Sequence, residues 1–147
     1  MPTKTARAKK PNEAFASMTV KDVMEKRVQF ARLNTKGDVI ASLMIEGFGA
    51  VPVVNDGQRL AGIVSEHDLL AAIDDGHELN RITAGDIMTG NPYSVRTETT
   101  LRTLVHVLRS SDLVRVPVVD ANDKLVGIIA RRDVLRTYVV SDSSKRK

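Results

Sequence analysis

Ser65 and Asp68 stand three residues apart, where the apolar run Gly62-Ile63-Val64 gives way to helical periodicity. At such a junction a serine hydroxyl and the first free amides of the helix suit a phosphate. A carboxylate one turn further on lies on the same side and can accept two directed hydrogen bonds from the neighbouring hydroxyls of a ribose. The same spacing is also that of a helix cap, with Ser at the N-cap and Asp in the first turn, and the pair alone admits both readings. His67 lies between them, able to approach an anion or simply to face solvent. The junction returns 65 residues later as Gly127-Ile128-Ile129-Ala130-Arg131-Arg132-Asp133, with alanine in place of serine and two arginines before the aspartate. Positive charge in a first helical turn opposes the dipole at roughly a few tenths of a kcal/mol. That cost favours an anionic partner for Arg131 and Arg132 over a merely solvated helix start.

The recurrence runs along most of the chain. Thr19-Val20-Lys21-Asp22-Val23-Met24 returns as Thr83-Ala84-Gly85-Asp86-Ile87-Met88, and Ala50-Val51-Pro52-Val53-Val54-Asn55 as Arg115-Val116-Pro117-Val118-Val119-Asp120. The three blocks keep their order, at offsets of 64, 65 and 65 residues. Two copies of one unit predict a pseudo-two-fold body with sites where the copies meet.

Each copy reads alike. Thr19 and Thr83 are candidate N-caps for short helical turns, followed by extended segments around 28–31 and 93–96. Apolar residues at helical spacing predict helices over Asp38–Glu46 and Leu101–Ser110. Each Val-Pro-Val-Val run is a strand with proline near its start, where a missing N–H is tolerated. The turn-formers Asn55-Asp56-Gly57-Gln58 and Asp120-Ala121-Asn122-Asp123 fold it against 60–64 or 125–129 as a hairpin. Final helices open at Ser65 and near Arg131. The order helix–strand–helix–strand–strand–helix, twice over, predicts an α+β fold with small sheets packed on helices. The boundaries expected are a disordered basic leader over 1–17, repeats over 18–75 and 76–140, and a disordered tail over 141–147.

At 147 residues with 42% hydrophobic and 3% aromatic content, the chain predicts one compact body with an aliphatic core. The net charge of +4 sits in the ends: residues 1–17 and 141–147 hold seven basic and two acidic residues, leaving 15 and 16 for the body. The body therefore offers no basic, aromatic-rich face for nucleic acid. No apolar run reaches the roughly 18–20 residues of a membrane span, and no signal peptide is legible. The absence of cysteine excludes disulfides and thiolate sites and fits a cytoplasmic location. His67, His77 and His106 lack metal-ligand spacing, and Gly47-Phe48-Gly49 lacks the Lys-Ser/Thr of a P-loop. The expectation is a protein that is not an enzyme.

Taken together, the Asp-Val-Met, Val-Pro-Val-Val and Gly-Ile-Val-Ser-x-x-Asp-Leu blocks resemble the CBS domain, named for cystathionine β-synthase, in the tandem pair called a Bateman module. The resemblance covers about residues 18–140. It implies clefts between the repeats for an adenosine-containing ligand such as AMP, ADP, ATP, NAD or S-adenosylmethionine, with AMP or ATP first and NAD second. It also implies an energy- or metabolite-sensing role, output to a separate effector protein, and a homodimer. For the dimer the sequence offers apolar helix residues, Leu69, Leu70 and Ile73 with Leu135, Tyr138 and Val139; the same stripe also fits an internal core.

By the same resemblance, cleft one joins Ser65, His67 and Asp68 to Thr89, Pro92, Tyr93, Leu113 and Arg115, with Pro92, Tyr93 and Leu113 around an adenine and Arg115 near its phosphates. Cleft two joins Arg132 and Asp133 to Val28, Gln29, Phe48, Gly49 and Ala50. Arg115 reads equally as a surface arginine, and Tyr93 and Phe48 as core aromatics. Ala130, and a one-residue-shorter loop before Pro52, predict unequal sites with cleft one the more regular. The alternative is a dimerisation module whose clefts are vestigial.

Overall fold

The computed structural model describes residues 13–47 and 49–145. Its first half contains α1 (Glu13–Ser17), α2 (Val20–Val23), β1 (Ala31–Arg32), α3 (Gly37–Ile45), β2 (Ala50–Val54), β3 (Leu60–Ser65) and α4 (Glu66–Asp74). A 3-10 turn at Leu79–Arg81 leads to α5 (Ala84–Ile87), β4 (Thr89–Gly90), β5 (Val95–Arg96), α6 (Leu101–Arg109), β6 (Arg115–Val119), β7 (Leu125–Ala130) and α7 (Arg131–Lys145). The α+β class and the twice-repeated element order match the expectation, with helix ends within about a residue of those read from periodicity.

Two hairpins form the centre, and their registers are copies. Pro52 pairs with Ile63 as Pro117 pairs with Ile128, and each ladder shifts at the same place, Val53/Val54 and Val118/Val119. The turns are built alike. Asn55 Oδ1 accepts from the amides of Gly57 and Arg59 at 2.9 and 3.0 Å, and Asp120 Oδ1 from those of Asn122 and Lys124 at 2.8 and 3.0 Å. The left-handed residue is Gln58 or Asp123, each at φ 66, rather than the neighbouring Gly57. The turn ends of the hairpins then meet across the pseudo-two-fold: the Leu60 amide donates to Asp123 O at 3.0 Å and the Leu125 amide to Gln58 O at 3.1 Å.

β1 lies parallel to β2 and β5 parallel to β6. On the far edge of β3 sits β4, which belongs to the second repeat, with Gly62 opposite Gly90 and Ile63 opposite Thr89. On the far edge of β7 sits Glu25 of the first repeat, exchanging bonds of 2.8 and 3.0 Å with Ile128. The leading turns cross over in the same way. The Val20 and Lys21 amides donate to Thr99 O and Thr97 O at 2.8 and 2.9 Å, while those of Ala84 and Gly85 donate to Thr35 O and Leu33 O at 2.8 and 2.9 Å.

The cores follow this exchange. Val20 is buried among Leu101, Leu104, Val116, Val118 and Ile129, and Ala84 among Ile40, Val51, Val53 and Val64. The packed halves therefore comprise 31–90 and 13–25 with 95–145, each holding the leading turn of the other repeat. A four-residue turn cannot bury its apolar side alone, and β3 and β7 each have an edge needing partners. Crossing satisfies both.

The expected disordered ends are also corrected in part. Residues 13–17 form α1, whose Phe15 is 8% exposed and meets the Tyr138 ring edge-on at 5.2 Å. Residues 141–145 continue α7, since extending an established helix adds a hydrogen bond for each residue ordered. The rest of both expected segments, 1–12 and 146–147, lies outside the described residues.

Candidate functional site

The strand-to-helix junctions set the site. At the end of β3, Ser65 Oγ accepts from the Asp68 amide at 3.2 Å while Asp68 Oδ2 accepts from the Ser65 amide at 2.8 Å. The reciprocal cap is thus formed, occupying the serine oxygen and one aspartate oxygen. At the end of β7, Asp133 Oδ2 accepts from the Ala130 amide at 3.0 Å, and Oδ1 meets Arg136 Nη1 at 3.2 Å. Ala130 provides no hydroxyl, so only the carboxylate half of the cap survives there. Asp133 is half-buried and Arg131 and Arg132 are exposed beside it.

The Glu25–Ile128 bridge pins the start of the 25–29 segment to the β7 edge, and a cleft of about 680 Å³ opens between this segment and the start of α7. Glu25, Arg27, Val28 and Gln29 form one wall, Gly47 and Ala50 a second, and Val114 and Arg115 a third. Ile128 and Ala130 form the floor, with Arg131, Arg132, Asp133, Leu135 and Arg136 at the helix side. The volume lies in the range of small-molecule sites, roughly 300–1,000 Å³. Five arginines face two carboxylates within it.

Of the residues expected for cleft two, Val28, Gln29, Ala50, Arg132 and Asp133 converge here. Gly49 is adjacent, since a β-carbon on it would lie 3.7 Å from Arg115 Nε. Phe48 lies outside the described residues. Arg115, expected in cleft one, instead lines cleft two, with Nη2 3.5 Å from Gly47 O. Its β6 start lies at the junction of the halves, where a long side chain can turn either way, and the opposing carbonyl and open volume take it to this side.

The cleft-one set is less gathered. Thr89 pairs with Ile63, two residues before Ser65, so it stands at the same end of the sheet. His67 is exposed on the first turn of α4 and Tyr93 is 44% exposed. Leu113 packs partly against the second core. Pro92 lines a separate hollow of about 230 Å³ with Asn55, Ser94 and Asp123, whose lining includes neither Ser65 nor Asp68. The larger described cleft is therefore the one expected to be less regular. Its enlargement follows from Ala130 at the floor and from Gly47 and Ala50 in the wall, which leave space where larger side chains would intrude.

Sequence reasoning missed Glu25, Arg27, Val114, Leu135 and Arg136 as cleft residues. Arg136 had a readable signal, lying one turn beyond Asp133 on the same helix face. Arg27 did not, because only the crossing of the leading segment brings it over β7.

A profile of the CBS domain matches residues 20–75 and 84–140. The chain belongs to the CBS domain family, with two copies in tandem. It is 31% identical over 148 residues to the chloroplastic CBS domain-containing protein CBSX2 of Arabidopsis thaliana, covering 80% of this chain and 62% of that protein. A crystal structure of CBSX2 with AMP matches at a TM-score of 0.75 and 33% identity, over 84% of this chain and 97% of that one. The CBS domain pair of protein MJ0100, solved with 5′-methylthioadenosine and S-adenosyl-L-methionine, matches at 0.73 and 25% identity, over 84% and 97%. Hypoxic response protein 1 of Mycobacterium tuberculosis is 28% identical over 120 residues, covering 80% of this chain and 83% of that protein. Its crystal structure carries two coordinated zinc ions and matches at a TM-score of 0.73 and 27% identity, over 81% and 98%. Among the described residues of the present chain, no group of three or more His, Asp or Glu is placed to hold a metal. No described helix is long and apolar enough to cross a membrane. The chain spans 62%, 56% and 48% of the first three curated relatives it matches, about half to three-fifths of their length.

Proposed function

We propose that this CBS pair is a regulatory module that binds an adenosine-containing ligand between its halves, AMP or ATP first and NAD second, and passes the occupancy to an effector protein without catalysis. The observation that carries the reading is the 680 Å³ cleft, where Asp133 stands among five arginines at the β7–α7 junction. An aspartate there can accept from a ribose diol while guanidinium forks take phosphate. The adenosine ligands of CBSX2 and MJ0100 support the assignment by similarity. Because the cleft walls come from both halves, a ligand that contacts both stabilises one arrangement over others, and a partner that favours the same arrangement is coupled to it. The homodimer belongs to this reading; Leu70, Ile73, Leu135 and Val139, each more than half exposed, give it an apolar face.

The test is a thermal-shift panel of AMP, ADP, ATP, NAD and S-adenosylmethionine on the wild type, Asp133→Ala and Asp68→Ala. A ligand at about 100 times its Kd stabilises by roughly 2.7 kcal/mol, or about 5–10 °C for a chain of this size. Loss of the shift in Asp133→Ala alone supports cleft two, and loss in Asp68→Ala alone moves the ligand to cleft one. No shift with any ligand overturns the reading and leaves a dimerisation module with vestigial clefts.

A further inference from the structure

We infer that this cleft grades its ligands by phosphate count, preferring a nucleoside triphosphate to a monophosphate, with Arg27 and Arg131 as specificity-determining residues. The inference rests on the adenosine reading and adds the ligand's charge class. Five arginines against Glu25 and Asp133 leave a surplus of three positive charges around one cavity. Among the described residues only Arg136 of the five has a carboxylate within ion-pair distance, that of Asp133 at 3.2 Å. Arg27, Arg131 and Arg132 are exposed, so three guanidinium groups keep their donor forks for a ligand, while half-buried Arg115 already donates one Nη2 bond to Gly47 O.

The fold does not impose this charge. At the repeat offset, Asn91 occupies the place of Arg27, Glu66 that of Arg131, His67 that of Arg132 and Ala71 that of Arg136. The same backbone frame is thus built in the other half with neutral or acidic residues, and the arginines are particular to this cleft. Each phosphate added to a nucleotide brings further negative charge and oxygens that match a guanidinium fork. A monophosphate leaves much of the surplus unmatched; a triphosphate spans it. Partly exposed charges of this kind are screened by salt, so the preference should narrow as ionic strength rises.

Isothermal titration of AMP, ADP, ATP and inorganic tripolyphosphate in magnesium-free buffer tests the inference. The proteins are the wild type and the double variant Arg27→Asn, Arg131→Gln, which removes two exposed charges without adding an acid. The wild type should bind ATP at least about tenfold more tightly than AMP, a difference of about 1.4 kcal/mol. In the variant ATP affinity should fall by more than AMP affinity, so that the ratio falls several-fold with the melting temperature retained. Equal wild-type affinities for AMP and ATP would overturn the grading while leaving the adenosine reading intact. An ATP preference unchanged in the variant would overturn the roles of Arg27 and Arg131. Binding of tripolyphosphate with no response to AMP, ADP or ATP would overturn the grading in favour of a polyphosphate site. Silence with all four would overturn the grading and the AMP or ATP assignment, leaving NAD and S-adenosylmethionine to decide the adenosine reading.

Discussion

Gly62→Ala places a methyl group where the two halves exchange their leading segments. A β-carbon at Gly62 meets Met88 Sδ, with Thr89 O at 2.8 Å and Met88 Cγ at 2.9 Å. The methionine side chain can move, since its thioether chain is flexible. The Thr89 carbonyl cannot move freely, because it belongs to the β3–β4 pairing that holds Gly90 opposite Gly62. The equivalent glycine of the other half meets a methionine sulfur in the same way, Met24 Sδ at 2.5 Å, but its backbone contact is looser: a β-carbon at Gly127 lies 3.1 Å from both Glu25 O and Met24 Cγ. Overpacking typically costs about 1–3 kcal/mol, and the smaller entropy of the unfolded alanine chain returns about 0.4–1 kcal/mol. The net expectation is a loss of about 2 kcal/mol for Gly62→Ala and about 1 kcal/mol for Gly127→Ala. At about 3 °C per kcal/mol for this chain length, the midpoints should fall by about 6 and 3 °C. Differential scanning calorimetry at fixed protein concentration would measure both. A Gly62→Ala protein melting with the wild type, or above Gly127→Ala, would refute the exchanged contact as the source of the constraint.

Phe15→Ala should destabilise by about 3 kcal/mol, the low end for a buried aromatic, because Phe15 is 8% exposed in the second core and packs on Tyr138; urea unfolding measures it, and a change below about 0.5 kcal/mol would return α1 to the status of a leader. Asp86 gives a pH dependence. Its carboxyl is held below the ordinary 3.8, first by the Thr83 amide, which donates to Oδ2 at 2.9 Å, and next by the Thr83 hydroxyl. A depressed folded-state value stabilises the protein above the unfolded value and loses that contribution as pH falls through the folded one. Asp86→Asn should therefore melt below the wild type at pH 7, and the gap should close as pH drops below about 4. A gap that keeps its size as pH falls well below the ordinary 3.8 would show that the carboxylate charge plays no part.

Much of the local architecture was legible in residue order. The helix over Leu101–Arg109 shows in the spacing of Leu101, Leu104 and Leu108, all buried. The hairpins show in β-branched runs interrupted by Asn55 and Asp120, whose side chains then close the turns as expected of them. The duplication announced the pseudo-two-fold and a cleft between the halves. The Ser65–Asp68 spacing was read both as cap and as ligand contact, and the structure forms the cap. α1 was missed because Phe15 is a single large apolar residue in a basic stretch, with no periodicity around it.

Sequence alone thus determined the elements common to both repeats and their turns, because these depend on residues within a few positions of one another, and the twofold repetition, which is read from residue order directly. Tertiary structure decided which half each leading turn packs on, to which side Arg115 extends, and that Arg27 joins Arg131 around one cleft. The reason is the repetition itself. Two nearly equal sheets offer each short segment the same local chemistry, and no neighbour in sequence distinguishes them. Only burial of Val20 in one core and Ala84 in the other, together with the pairing of β3 and β7 edges, makes the choice.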